Sequence, residues 1–215
     1  MKVNNTADTI QGRAECGHDA MNATQRAAKR ALDVAAALVG LVALSPLFAV
    51  IYALLKAQNN GPAIFSQERI GYGGRPFTIY KFRTLSKNDD EPRLRAQCDE
   101  DSSTKTEMFL REHHLDELPQ LWNVLKGDMS FVGPRPERKF YIDQIMERDP
   151  RYALIYEMRP GLTSEATLYN GYTDTMEKML RRLDMDVRYL TTRSLRKDAA
   201  IIARTALCIM AGKKF

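Results

Sequence analysis

The block of this chain best suited to chemistry is Leu115-Asp116-Glu117-Leu118-Pro119-Gln120-Leu121, followed by Asn123, by Lys126-Gly127-Asp128-Met129-Ser130 and by Gly133-Pro134-Arg135-Pro136. Leu118, Leu121, Trp122 and Leu125 recur at helical spacing, which predicts one amphipathic helix running from Asp116 to a stop at Gly127. A carboxylate in a first helical turn is stabilised by the positive pole and the unbonded backbone N–H groups, so Asp116 is expected to stay ionised at neutral pH. The acid pair taken alone fits an ordinary helix cap as well as it fits a nucleophile or a metal ligand. Its company shifts the balance toward chemistry. Arg135 stands between two prolines, which reduce the entropy lost when a guanidinium clamps a phosphate. Arg111 precedes the pair and Arg159-Pro160-Gly161 supplies another rigidly placed cation. Cations gathered round an acid pair suit a diphosphate, whose charge must be neutralised before an anionic nucleophile can approach.

The elements that must position these residues follow from periodicity. Arg75 to Thr84 alternates as a strand would and puts Phe77, Ile79, Lys81 and Arg83 on one side, so that two cations project together. Further helices are predicted from Pro136 to about Met146 and from about Thr175 to Tyr189. From Ser194 to Phe215 the cations Arg196, Lys197, Arg204, Lys213 and Lys214 are interleaved with Ile201, Ile202, Leu207, Ile209 and Met210. That pattern suits a helix lying on an anionic membrane surface and equally a terminal core helix with a solvated basic face. Between Asn88 and Ser103 an acidic run reads as a solvated loop rather than a metal site. His113 and His114 have no carboxylate or cysteine at a familiar ligand spacing.

From Val34 to Leu55 no residue is charged, which is long enough to cross a bilayer core. Arg26, Lys29 and Arg30 precede this run and Lys56, Arg69 and Arg75 follow it, so basic charge marks no single side. Pro46 breaks the helical hydrogen bonding near the middle, and Ser45 can satisfy a carbonyl freed there. A helix that enters, bends and returns to one face accounts for this arrangement; a kinked spanning helix and a buried core helix are the alternatives.

The length suits one catalytic domain, and 32 basic against 27 acidic residues leave a net charge of +5, which favours anionic partners such as phosphate esters, acidic lipids or nucleic acid. No recognition helix or RNA-binding aromatic motif supports the last of these. Cys16, Cys98 and Cys208 are widely separated and odd in number, which argues against a disulfide framework. The organisation read from the sequence is a polar leader over residues 1–25, a membrane helix over 26–57 and a catalytic domain over 58–215.

Several further blocks occur in a fixed order: Ser45-Pro46, Gln67-Glu68-Arg69-Ile70-Gly71, Lys81-Phe82-Arg83-Thr84, the acid-pair and Gly-Pro-Arg-Pro blocks, and Arg159-Pro160-Gly161-Leu162-Thr163. From about Lys29 onward the chain thereby resembles the bacterial sugar transferases, or monotopic phosphoglycosyl transferases, of polyprenol-linked glycan assembly. The resemblance implies a small α/β, mainly helical catalytic domain with a re-entrant membrane helix broken at Ser45-Pro46 and with interfacial amphipathic helices. It implies a place at the cytoplasmic face of the bacterial inner membrane. It implies Mg²⁺ dependence, a UDP-sugar donor, a polyprenyl (undecaprenyl) phosphate acceptor, and downstream glycosyltransferases as partners. By the same resemblance Asp116 is nucleophile and magnesium ligand and Glu117 its acidic partner. Arg111 and Arg135 hold phosphates, with Lys81, Arg83 and Arg159 as further phosphate-binding candidates, and Asp186 matches a late acidic position. Where the family often continues Gly-Trp-Ala-Gln-Val, this chain has Ser164-Glu165-Ala166-Thr167-Leu168, which leaves the sugar open. A catalytically inactive membrane scaffold is the alternative function, and the intact acid pair argues against it.

Overall fold

The computed structural model describes residues 19–58, 61–84, 104–171, 173 and 175–212. Cys16, Cys98, the acidic run, Lys213, Lys214 and most of the polar leader lie outside them; Cys208 is free and half-buried. The described chain is mainly helical with a little sheet.

Helix α1 (Ala23–Ala43) starts inside the segment read as leader, because Asn22 and Gln25 form a reciprocal capping box. Met21 just before it is buried, and Asp19 pairs with Arg26 and Arg193. The helix is inside-out. Lys29, Asp33 and Ala37, each four residues from the last, face the protein, whereas Leu32, Leu38, Val39 and Val42 are exposed. A water-facing helix shows the reverse pattern.

After Leu44 the chain turns into α2 (Ser45–Ala57), whose axis is bent 60° from that of α1. Pro46 occupies the first turn of α2, where its missing N–H costs nothing, and Ser45 Oγ donates to Val42 O at 2.8 Å. Neither helix alone is long and apolar enough to cross a membrane, but the bent pair together is. Ile51 and Leu55 of α2 pack with Ala63, Phe82 and Leu110, while Val50, Tyr52 and Leu54 stay exposed.

Strands β1 (Ile64–Ile70) and β2 (Pro76–Phe82) form an antiparallel hairpin in which Phe65 faces Lys81 and Gln67 faces Ile79. Both faces of β2 are covered, since Ile79 packs with Ala37, Val124 and Met129 whereas Phe82 meets α2. Helix α3 (Lys105–Glu112) then leads through His114, in the left-handed region at φ 54°, into a 3-10 turn at Leu115–Glu117. Helix α4 (Gln120–Lys126) ends at Gly127 with φ 106°, a conformation that favours glycine.

Strand β3 (Ser130–Val132) pairs in parallel with β4 (Gly161–Thr163), joined through α5 (Lys139–Arg148) and a 3-10 stretch, Pro150–Glu157. The chain finishes with α6 (Glu165–Asn170), α7 (Met176–Thr192) and α8 (Leu195–Met210), capped by Ser164, Thr175 and Ser194. The largest apolar cluster joins α5, the 3-10 stretch, α7 and α8 through Ile142, Ile145, Ile155, Leu183, Leu190 and Ile201. On α8 Asp198 and Ile201 point inward, while Leu207 and Met210 are exposed together with Arg196 and Arg204.

Two expectations change. The predicted single helix from Asp116 is a 3-10 turn followed by α4, because the left-handed His114 begins a tighter turn that Pro119 closes. Trp122, assigned to the apolar face, is 53% exposed, and Gln120 and Asn123 are buried with Leu121 and Val124 instead. The helix faces β2, whose backbone needs polar partners, so the buried side follows hydrogen-bonding demand rather than hydrophobicity. The second helix begins at Lys139, not Pro136, since the chain through Arg138 is extended.

Candidate active site

Glu117 is the centre of a charge cluster drawn from three elements. Lys81 Nζ, from β2, donates to Glu117 Oε1 at 2.6 Å, and Arg135 Nη2, from the loop after β3, lies 3.5 Å from the same oxygen. Burial pushes the Glu117 carboxyl up, but the charges of Lys81 and Arg135, the Lys81 hydrogen bond and His114 together hold it well below the usual carboxylate range. The charge of Glu117 in turn raises Arg135 against the opposing effect of burial, helped by Glu137 and Asp116. Asp116 therefore shares the field of Arg135 from the same half-buried turn, while Arg111 sits in the last turn of α3 just before it.

A second layer stands behind Arg135. Glu137 pairs with Arg182 and lies 3.7 Å from Arg69. Arg69 is pushed down to about 10 by burial, with Glu137 opposing and Arg135 and Arg138 adding to the fall. Asp186 is buried beside Arg182, and desolvation pushes it up to about 7 although Arg182 pulls the other way. Asp186, Arg182, Glu137 and Arg135 line a cavity offering only about 10 Å³ to the centre of a water, enough for about one molecule. A nucleotide-sized ligand does not fit there, so that cavity backs the site and does not form it.

Of the residues picked from sequence, the fold brings Lys81, Glu117 and Arg135 into direct contact and sets Asp116 in their field. Arg83 follows the end of β2, its Nε buried with no hydrogen-bond partner among the described residues. Arg159 is directed elsewhere: its Nε donates to Gly127 O at 2.9 Å and its guanidinium stacks over Tyr72. Asn123, named from sequence within the central block but given no role, is fully buried. Its Oδ1 accepts from Tyr80 N at 3.1 Å, and its Nδ2 donates to Thr78 O at 2.7 Å and Asp128 Oδ2 at 3.2 Å. It lies on the side of the predicted helix away from Leu118, Leu121, Trp122 and Leu125, so the spacing gave no sign of its burial. Glu137 and Arg182 gave no signal of their own.

Among the described residues no three His, Cys, Asp or Glu side chains converge as a metal cage. Glu117 Oε1 is already engaged by two cations. A magnesium ion held here would take one or two carboxylates and complete its shell with substrate phosphate oxygens and water.

Residues 24–212 match the family model described as bacterial sugar transferase. The chain is 43% identical over 180 residues to a UDP-glucose:undecaprenyl-phosphate glucose-1-phosphate transferase of Caulobacter vibrioides, covering 82% of this chain and 67% of that protein. It is 36% identical to a UDP-N-acetylgalactosamine-undecaprenyl-phosphate N-acetylgalactosaminephosphotransferase of Aeromonas hydrophila, covering 86% of this chain and 44% of the relative. A UDP-glucose:undecaprenyl-phosphate glucose-1-phosphate transferase of Klebsiella pneumoniae is 38% identical, with 86% of this chain and 40% of the relative covered. The chain thus spans about two thirds of the first relative and less than half of the other two. With a match running from α1 to the end of α8, the protein belongs to the bacterial sugar transferase family.

Proposed function

We propose that this protein transfers a phosphosugar from a UDP-sugar to polyprenyl (undecaprenyl) phosphate, releasing UMP and starting a membrane-linked glycan. The observation that carries this reading is the Asp116–Glu117 turn set among Lys81 and Arg135 in a fold whose N-terminal helix pair turns its apolar side outward. Relatives that act on UDP-glucose or UDP-N-acetylgalactosamine with undecaprenyl phosphate support the donor and acceptor classes.

In this mechanism a carboxylate oxygen of Asp116 attacks the sugar-linked phosphorus. The bond from that phosphorus to the bridging oxygen breaks, and UMP leaves with the electron pair. An oxygen of polyprenyl phosphate then attacks the same phosphorus and Asp116 departs as carboxylate, so no bond at the anomeric carbon changes. Lys81 and Arg135 supply positive charge for the diphosphate, with Arg111 as a further phosphate contact, and Glu117 holds the first two in place. Magnesium, when bound by Asp116 and the donor's diphosphate, would offset the repulsion between the two anions.

The exposed apolar residues of α1 and α2, with Lys29 and Asp33 of α1 turned inward, support burial of the bent pair in lipid as a re-entrant hairpin. Leu207 and Met210 on α8 support an interfacial position for that helix. A polyprenyl tail stays in the bilayer, so the acceptor phosphate meets the site at the interface, which on this reading is the cytoplasmic face of the inner membrane. Asp116→Asn should fold normally and lose UMP release with every UDP-sugar that the wild type accepts. Turnover near the wild-type rate would refute the role given to Asp116.

A further inference from the structure

Helix α1 grips α4 at both ends. At the C-terminal end Arg30 Nη1 donates to Val124 O at 2.7 Å and Nη2 to Leu125 O at 3.0 Å. These carbonyls belong to the last turn of a helix, where Val124 O otherwise accepts only from the cap N–H of Gly127 at 3.2 Å, and a guanidinium both satisfies them and opposes the negative pole. At the other end Gly40 lets Leu121 approach so closely that a Cβ on Gly40 would stand 3.2 Å from Leu121 Cδ1. The two grips are separated by about 15 Å along α1 at the ordinary helical rise.

The acid pair moves with α4, since the hydrogen bonding is continuous between them. Leu118 N donates to Leu115 O, Leu121 N to Leu118 O and Trp122 N to Pro119 O. Helix α1 is itself locked against sliding. Lys29 Nζ lies 2.7 Å from Asp198 Oδ2, and Asp33 accepts from Ser130 Oγ at 2.7 Å and from Phe131 N at 3.2 Å. Its opposite face carries the exposed residues Leu32, Leu38, Val39 and Val42.

We propose that Arg30 is a positioning residue which, with Gly40, transmits the seating of α1 in the bilayer to the Asp116–Glu117 turn and so sets the height at which that turn meets a membrane-held acceptor. This rests on the membrane reading above, and it predicts that loosening either grip harms the encounter with an acceptor held in lipid more than the reaction with a soluble donor.

The test uses the full chain in vesicles with the UDP-hexose that the wild type turns over. Three rates are measured: exchange of labelled UMP into the donor without acceptor, transfer to vesicle-embedded undecaprenyl phosphate, and transfer to a short-chain, water-soluble prenyl phosphate. For Arg30→Met and Gly40→Leu, exchange and short-chain transfer should stay within about threefold of wild type, while kcat/KM for the embedded acceptor falls about tenfold or more. Arg30→Lys keeps the charge without the two-pronged geometry and should fall between. Should Arg30→Met fail to fold, Arg30→Lys carries the comparison. Equal loss in all three rates, or loss in none, overturns the proposal. A wild type that transfers without exchanging UMP would refute the two-step chemistry instead, and the embedded against short-chain comparison would still decide the role of Arg30.

Discussion

Asn123→Ala tests whether one buried amide fixes the distance between the strand that carries Lys81 and the helix that follows Glu117. The amide makes three hydrogen bonds, to Tyr80 N, Thr78 O and Asp128 Oδ2, and is wholly removed from water. At about 1 kcal/mol for each lost bond, plus the cost of leaving the Tyr80 N–H and Thr78 carbonyl unsatisfied, the truncation should cost about 3–5 kcal/mol. In a domain of this size that lowers Tm by roughly 10 °C. Because β2 is then free to shift relative to α4, Lys81 should lose its registration on Glu117, and UMP release well below the variant's Tm should fall about tenfold. Asn123→Asp sharpens the test. It retains the acceptor for Tyr80 N but turns a second carboxylate oxygen toward Thr78 O and Asp128, so at neutral pH it should be at least as damaging as alanine. Thermal melts followed by circular dichroism, with UMP release measured below each Tm, read both effects. A Tm within about 3 °C of wild type for Asn123→Ala, equivalent to less than about 1 kcal/mol, would refute the reasoning.

Lys81→Met removes the nearest partner of Glu117, so its carboxyl should rise toward the usual range and UMP release at pH 7 should fall about 100-fold with the fold intact; a loss under about threefold would count against Lys81 at the site. Gly161→Ala would put a Cβ 2.2 Å from Gly133 N and 2.6 Å from Gly133 O, backbone that cannot yield, and should leave no protease-resistant domain in limited proteolysis. Burial raises Asp186 from about 3.8 to about 7, so the folded state keeps a proton that the unfolded state releases, and wild-type stability should fall between those values, by at most about 1.4 kcal/mol per pH unit, and level off above pH 7. Asp186→Asn should lack that slope and gain on wild type from pH 5 to pH 8 in denaturant melts, whereas parallel midpoints would contradict it; the opposite contribution of Glu117 is lost only as pH falls below about 4.5.

Much of the architecture was legible because it depends on local signals. The charge-free run with Ser45-Pro46 announces two bent helices, and the Arg75–Thr84 alternation announces a strand whose Lys81 does reach the acid pair. Arg135 was legible from its rigid setting between prolines. What the sequence could not supply is which polar groups meet across long separations. Asp33 bonding Ser130, Glu137 holding Arg182 and Asn123 bridging Thr78 and Tyr80 are tertiary choices with no periodic signature. Trp122 was misassigned for the same reason, since spacing counts apolar residues while the fold seated α4 on the hydrogen bonds that β2 required. Arg159 shows the converse limit, because a rigid Arg-Pro-Gly placement describes a phosphate clamp and a carbonyl cap equally well.

The inverted pattern of α1 has an energetic consequence that links the membrane reading to the site. If the outer face of α1 and α2 lies in lipid, their apolar residues gain little by packing on the domain rather than on acyl chains, because both surroundings are equally apolar. Hydrophobic burial then cannot choose one orientation of α1 over another rotated about its axis. Polar contacts can, because in any rotated state Lys29, Asp33 and Arg30 would face hydrocarbon at a cost of several kcal/mol each. The native orientation alone gives Lys29 its Asp198, Asp33 its Ser130 and Arg30 the carbonyls of Val124 and Leu125. On that reading buried charge selects one geometry among near-equals, the one in which Arg30 holds the end of α4 that follows the Asp116–Glu117 turn.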